Sequence, residues 1–246
     1  MSTTEASLAS DLIALGVERG GVLFVHSSFK SLGAIEGGAA TVIAALEAVL
    51  GSSGTLLMPS FNLSRRTVEE RVETWSAQST PSSTGYLTEY FRLMPGTLRS
   101  DHPSHSVAAR GKLAQWITQV HRSQRGPDSP WDIPPWGKTY GVDSPLMRAL
   151  ETNAQLLMLG TDYDTLTYLH LVEVLEHAQR AKNNVDAKYW MLERSHCGHW
   201  WDANGALRRG TVGQAECRLF EASGFVENLL AQVTRNPIDF FRWMDE

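Results

Sequence analysis

The chain has 246 residues, 42% of them apolar and 20% charged. These are ordinary globular proportions, which exclude long disorder and collagen-like repeats. Lys and Arg total 22 against 27 Asp and Glu, a formal net charge of -5 with no basic block. That balance argues against a nucleic-acid binder and mildly suits a cationic ligand.

A chain of this length buries about 70–75% of its unfolded surface, enough for a core without metal or disulfide staples. Two cysteines, Cys197 and Cys217, are too few for a disulfide framework. With the polar start MSTTEASLAS and no apolar run near the length of a membrane span, they predict a reduced, cytosolic protein.

In chain order, Ser2 and Glu5 are spaced as a capping box. Leu8, Leu12 and Leu15 follow at helical spacing, with Gly20-Gly21 as the stop. GVLFVHSS (21–28) predicts a buried strand opening onto a polar loop, and TLLMPSF (55–61) a second. Between them Val42, Leu46, Val49 and Leu50 mark one helical face, ended by Gly51.

The polar stretch 62–83 reads as a surface excursion. Leu87, Tyr90, Phe91 and Met94 mark a helix closed by Pro95-Gly96, and 99–111 reads as a loop entering a short strand. The segment 123–145, rich in Pro, Gly, Ser and Trp, predicts a long ordered loop. AQLLMLGT (154–161) is the clearest central strand, and a helix over about 164–182 follows it. Beyond it, strands are expected near 187–193 and 206–212, and helices over 214–222 and 237–244. The pattern predicts one compact domain over 1–246, an α/β fold whose central mixed sheet is covered by helices on both faces.

Several motifs are missing. A P-loop would need Gly where Asp132 precedes Gly137-Lys138-Thr139, and neither GxGxxG nor GxSxG occurs. His196-Cys197-Gly-His199 lacks a second ligand pair at a standard zinc interval, so no metal is expected and a partly exposed loop is the simpler reading.

The chemistry-bearing residues cluster in three segments. In TDYDTLTYLHLVEVLEH, Asp164 and Thr165 look like a helix start, and His170, Glu173 and His177 share one helical face. A histidine beside a carboxylate is a base with an orienter, or a core histidine satisfied by its neighbour. The segment VHSSFKSLG places His26, Ser27, Ser28, Lys30, Ser31 and Gly33 just after the first strand, where hydroxyls and N–H groups suit phosphate oxygens or merely form a polar connection. TLRSDHPSHSVAARG gathers Arg99, His102, His105, Ser106 and Arg110, either lining a pocket for an anionic cofactor or forming a basic loop.

Four of these segments, in order, resemble the aminoglycoside 3-N-acetyltransferase family. They are VHSSFKSLG (25–33), GTLLMPSF (54–61), RSDHPSHSVAARG (99–111) and SPLMRALETNAQLLMLGTDYDTLTYLHLVE (144–173). The resemblance implies acetyl transfer from acetyl-CoA to an amine on a fold distinct from the common small N-acetyltransferase (GNAT) fold. It implies His170 as the catalytic base, with Glu173 and Asp164 in the same motif. It assigns Ser27, Ser28, Lys30, Ser31 and Gly33, adjoining His26, to coenzyme A, with His102 and Ser106 near the cofactor.

The resemblance departs at 62–83, shorter than in drug-modifying members, and at KTYGVDSP (138–145), which lacks a Gly-Glu-Gly approach. Both departures bear on the acceptor side. Asp162, Glu193 and Asp202 are candidates to hold a polyamine, or are simply solvated charges. The expected acceptor is an aminoglycoside. The alternatives are an amino sugar or sugar nucleotide, a non-catalytic binder of CoA or cationic ligands, and a zinc hydrolase built on His170, Glu173 and His177. A homodimer is compatible with this reading.

Overall fold

The computed structural model describes residues 3–63 and 67–242. Helix α1 (Glu5–Leu15) is followed by β1 (Val22–Ser27), α2 (Ala39–Leu50), β2 (Thr55–Pro59), α3 (Val68–Glu73) and α4 (Tyr86–Leu93). Then come β3 (Leu98–Arg99), β4 (Val107–Gly111), α5 (Ala114–Thr118), α6 (Pro145–Glu151), β5 (Gln155–Leu159) and α7 (Tyr168–Ala181). The chain continues with β6 (Met191–Leu192), α8 (Arg194–Asn204), β7 (Leu207–Val212), β8 (Ala215–Glu221), α9 (Ala222–Arg235), α10 (Pro237–Phe240) and β9 (Phe241–Arg242).

Seven strands form one sheet in the order β3-β4-β2-β1-β5-β8-β7. The three central strands, β2, β1 and β5, are parallel, and each strand outside them pairs antiparallel with its neighbour. Side chains alternate across each strand. Phe24, Leu57, Leu156 and Met158 therefore pack on one face, with α5 to α9. Leu23, Val25, Met58 and Leu157 pack on the other, with α1, α2 and α4. Helices cover both faces of a mixed sheet, as the alternation of elements predicts. A separate two-stranded ribbon pairs β6 with β9.

Local chemistry corrects several expectations. The cap of α1 is Thr4, which forms a capping box with Ser7; the Ser2 reading lies outside the described residues. The helix ends at Gly16, whose φ of 102° only glycine adopts at low cost, four residues before the Gly pair. Leu8, Leu12 and Leu15 are buried as predicted, each contributing about 1.5–3 kcal/mol of apolar burial.

The 62–83 excursion carries the short helix α3, and Ser64, Arg65 and Arg66 within it lie outside the described residues. The expected helix at 214–222 is strand β8, and the following helix, α9, starts where that one should have stopped. The expected 237–244 helix spans only Pro237–Phe240 before β9, with 243–244 outside the described residues. The His196–His199 segment is part of helix α8, with Cys197 buried and both histidines exposed.

Candidate active site

Because β1, β2 and β5 are parallel, Ser27, Pro59 and Leu159 end at the same edge of the sheet. Open α/β sheets place ligands beyond such carboxyl ends. Antiparallel β4 pairs Val107 with Pro59, so the turn before β4 reaches that edge too. An open cleft of about 730 Å³ lies there. His26 and Ser27 enter it from β1, Pro59 and Phe61 from the exit of β2, and His105 from the turn before β4. Asp164, His170 and Arg194 enter from beyond β5.

His170 and Glu173 meet as their spacing requires. The Nδ1 of His170 lies 2.7 Å from Glu173 Oε2. Glu173 is fully buried. Its Oε1 accepts the Leu192 N–H at 2.9 Å and its Oε2 the Tyr189 hydroxyl at 3.3 Å. A buried carboxylate with three donors is fixed in place, and it holds the proton of a neutral imidazole on Nδ1. The Nε2 lone pair then faces the cleft, where an Arg194 N–H donates to it at 2.7 Å. A second guanidinium N–H reaches the Asp164 carbonyl at 2.5 Å.

Behind two of the lining rings lies the 123–143 loop. The Asp132 carboxylate accepts the Ser129 N–H and hydroxyl at 2.9 and 2.7 Å and the Thr139 N–H at 2.9 Å. These bonds order the loop without a helix or strand and set Trp131 against the site. Its ring lies 4.4 Å from that of His170 and 5.8 Å from that of His105. His26 stacks on Phe24 at 5.1 Å, and no group bonds its buried Nε2 among the described residues. Burial lowers its pKa to about 4, so it is neutral at pH 7.

The other sequence candidates separate. Asp164 is exposed on the cleft rim, and among the described residues no hydrogen bond joins its side chain to His170. It does not cap the helix. Asp162 caps a 3-10 turn at Tyr163–Thr165, and Thr167 precedes α7 with no side-chain cap. His177 turns away, its Nε2 on the Ala187 carbonyl at 2.9 Å, so the three-ligand zinc hydrolase set does not converge. Among the described residues no group of three His, Cys, Asp or Glu side chains is placed to hold a metal ion.

Ser28, Lys30, Ser31 and Gly33 continue from Ser27 in and beside a 3-10 turn at Phe29–Leu32, with Lys30 exposed and the Ser31 hydroxyl on the Ser28 carbonyl at 2.7 Å. His102 and Ser106 are fully buried and outside the cleft lining. Ser106 donates to the Ser60 carbonyl at 2.5 Å and accepts from Arg99. Arg110 pairs with Glu47 at 2.6 Å. Of the basic loop, His105 alone lines the cleft.

Both cysteines are buried, and burial pushes the Cys197 thiol up to about 12 and raises that of Cys217, the reverse of an activated nucleophile. Asp202 is spent on Arg218, Arg209 and the Tyr163 hydroxyl, and Glu193 on Arg242. Sequence reasoning missed Trp131 and Arg194. Neither has a motif, and each reaches His170 only through the fold.

The sequence matches the family described as Aminoglycoside 3-N-acetyltransferase over residues 24–133 and 134–233. Aminoglycoside N(3)-acetyltransferase IV of Salmonella sp is 32% identical over 251 residues, covering 96% of this chain and 89% of that protein. A crystal structure of a histidine-to-alanine mutant of aminoglycoside acetyltransferase AAC(3)-IVa, in complex with a gentamicin, aligns with a TM-score of 0.77 at 28% identity, over 98% of this chain and 92% of that one. AAC-IIIb in a binary complex with CoASH aligns with a TM-score of 0.74 at 25% identity over 100% of both chains. A family match across both halves of the chain, with relatives this similar over nearly all of its length, shows that this protein belongs to the aminoglycoside 3-N-acetyltransferase family and is an acetyltransferase.

Proposed function

We propose that the protein transfers the acetyl group of acetyl-CoA to an amino group of an aminoglycoside, with His170 as general base. The observation that carries this reading is the 2.7 Å bond from His170 Nδ1 to a fully buried Glu173, which turns Nε2 toward a cleft at the strand ends. An aliphatic amine is mostly ammonium at pH 7 and attacks only after losing a proton. Nε2 takes that proton, and Glu173 stabilises the imidazolium formed. The nitrogen attacks the thioester carbonyl carbon, the C–S bond breaks, and the thiolate leaves and is reprotonated. No acetyl-enzyme is needed, in keeping with two buried, unactivated cysteines.

The Ser27–Gly33 segment, assigned to coenzyme A by resemblance, leads out of the same edge of the sheet. Asp164, exposed on the rim, fits acceptor binding better than bond-making. In the conformation described, Arg194 covers Nε2, so its guanidinium turns aside for the amine to reach the base.

The test is CoA thiol release from acetyl-CoA with a panel including gentamicin and tobramycin, with amino sugars and sugar nucleotides as the second panel. Activity with the second panel alone moves the acceptor to that class. His170→Ala should lower kcat by about 10²–10⁴-fold, and turnover at the wild-type rate in that variant would remove the base assignment.

A further inference from the structure

The cleft contains a second imidazole whose protonation is decided by its neighbours. His102 Nδ1 has one lone pair, and it faces the backbone N–H of His105 at 3.1 Å and of Ser104 at 3.3 Å. It therefore carries no proton. The proton of His102 sits on Nε2, directed at Thr139 Oγ1, 3.3 Å away. That hydroxyl is free to accept, since its own proton goes to the Trp131 carbonyl at 2.8 Å.

The Ser104 hydroxyl lies between two acceptors, 3.2 Å from His102 Nδ1 and 2.8 Å from His105 Nδ1. Donating to His102 would put a third donor on one lone pair. The shorter bond, to His105, avoids this. His105 Nδ1 is thereby an acceptor, and its proton resides on Nε2. Among the described residues no group bonds that nitrogen, while the ring lines the cleft and packs against the same Trp131 indole as His170.

We propose that the Nε2–H of His105 donates a hydrogen bond to the thioester carbonyl oxygen and stabilises the oxyanion formed as the amine attacks. This assignment rests on the acetyl-transfer reading. The electron pair of the C=O π bond moves onto oxygen, returns as the C–S bond breaks, and the thiolate departs; His105 keeps its proton throughout.

A neutral donor suits this task, because an imidazolium would repel the ammonium acceptor and surrender its proton. Burial holds the His105 pKa down to about 3, with His170, His121 and Arg71 pushing the same way. His26, the other neutral ring in the cleft, has no hydrogen-bonded neighbour among the described residues to set its tautomer. The network singles out His105.

Two measurements test the proposal. Long-range ¹H–¹⁵N spectra of histidine-labelled protein should show His105 as the neutral Nε2–H tautomer from pH 5 to 9, with that preference lost in Ser104→Ala. An Nδ1–H tautomer in the wild type overturns the proposal, whatever the acceptor proves to be.

In the thiol-release assay, His105→Ala should lose about 10²–10³-fold in kcat, with the KM for acetyl-CoA within about threefold and the acid limb of the pH profile unmoved. His105→Gln, which keeps a donor, should recover part of the loss and serves if the alanine variant does not fold. A kcat within threefold of wild type in a folded variant overturns the assignment. Loss of turnover with every acceptor in the wild type would instead strike the acetyl-transfer reading and leave the tautomer measurement standing.

Discussion

At the scale of single residues, the site is an imidazole with a different constraint on each nitrogen. Glu173 is fully buried, and its carboxylate is the acceptor for His170, Tyr189 and the Leu192 N–H. Glu173→Gln keeps the volume but substitutes an amide for the carboxylate proposed to stabilise imidazolium. Its kcat should fall by about 10²–10⁴-fold, with KM values little changed, as steady-state kinetics will show.

Arg194 acts on the other nitrogen. It places a cation in a cleft proposed to accept ammonium groups. Removing one like charge at close range in water is worth about 1 kcal/mol, so Arg194→Ala should lower the KM for a polyamine acceptor by about fivefold, an effect that weakens in high salt. The His170–Glu173 pair was legible because three residues apart on a helix is a contact in any fold. Arg194 was not, since twenty-four residues and a turn of backbone separate it from the ring it touches.

At the scale of elements, the 123–143 loop backs two imidazoles of the cleft. Its composition predicted order, and the Asp132 hub supplies it. Trp131 packs against His170, His105, Tyr140 and Tyr189. Trp131→Ala should cost about 2–4 kcal/mol, toward the low end for a half-buried ring, and lower kcat by loosening both imidazoles; chemical denaturation and kinetics measure the two effects separately.

The misread element is equally physical. In β8, Ala215, Cys217 and Leu219 are buried between the less buried Glu216 and Arg218, a period of two, and Gly213 at φ 59° turns β7 into it. The helical reading of 214–222 overlooked that alternation. At Tyr163–Thr165 the backbone makes a 3-10 turn before α7 begins, so Asp164 lies on the rim instead of capping the helix.

At the scale of the molecule, the acid response is set by four buried neutral histidines. Burial lowers the pKa of His26 to about 4 and of His102 and His105 to about 3, and holds His121 well below its usual value. Each stays neutral in the native state, while the unfolded chain takes up its proton near pH 6.5. Folded pKa values below the unfolded ones give stability that is present above pH 6.5 and lost as pH falls toward 3–4. The midpoint of thermal unfolding should therefore drop steeply from pH 7 to 5, with a slope approaching four protons. Replacing His121 with Gln should flatten it. A midpoint independent of pH over that range would show that these rings are not held neutral by the fold.

By itself the sequence determined what local chemistry enforces: the apolar strands, the amphipathic helices, the His170–Glu173 pair and the ordered motifs that announced the family. The tertiary structure decided which distant segments meet. Three parallel strands bring Ser27, Pro59 and the chain beyond Leu159 to one edge, and an antiparallel neighbour delivers His105 there while leaving His102 and Ser106 in the core. His102 and His105 differ by three positions on an irregular loop, where no periodicity relates sequence spacing to direction. Only packing could assign one ring to scaffold and the other to the cleft.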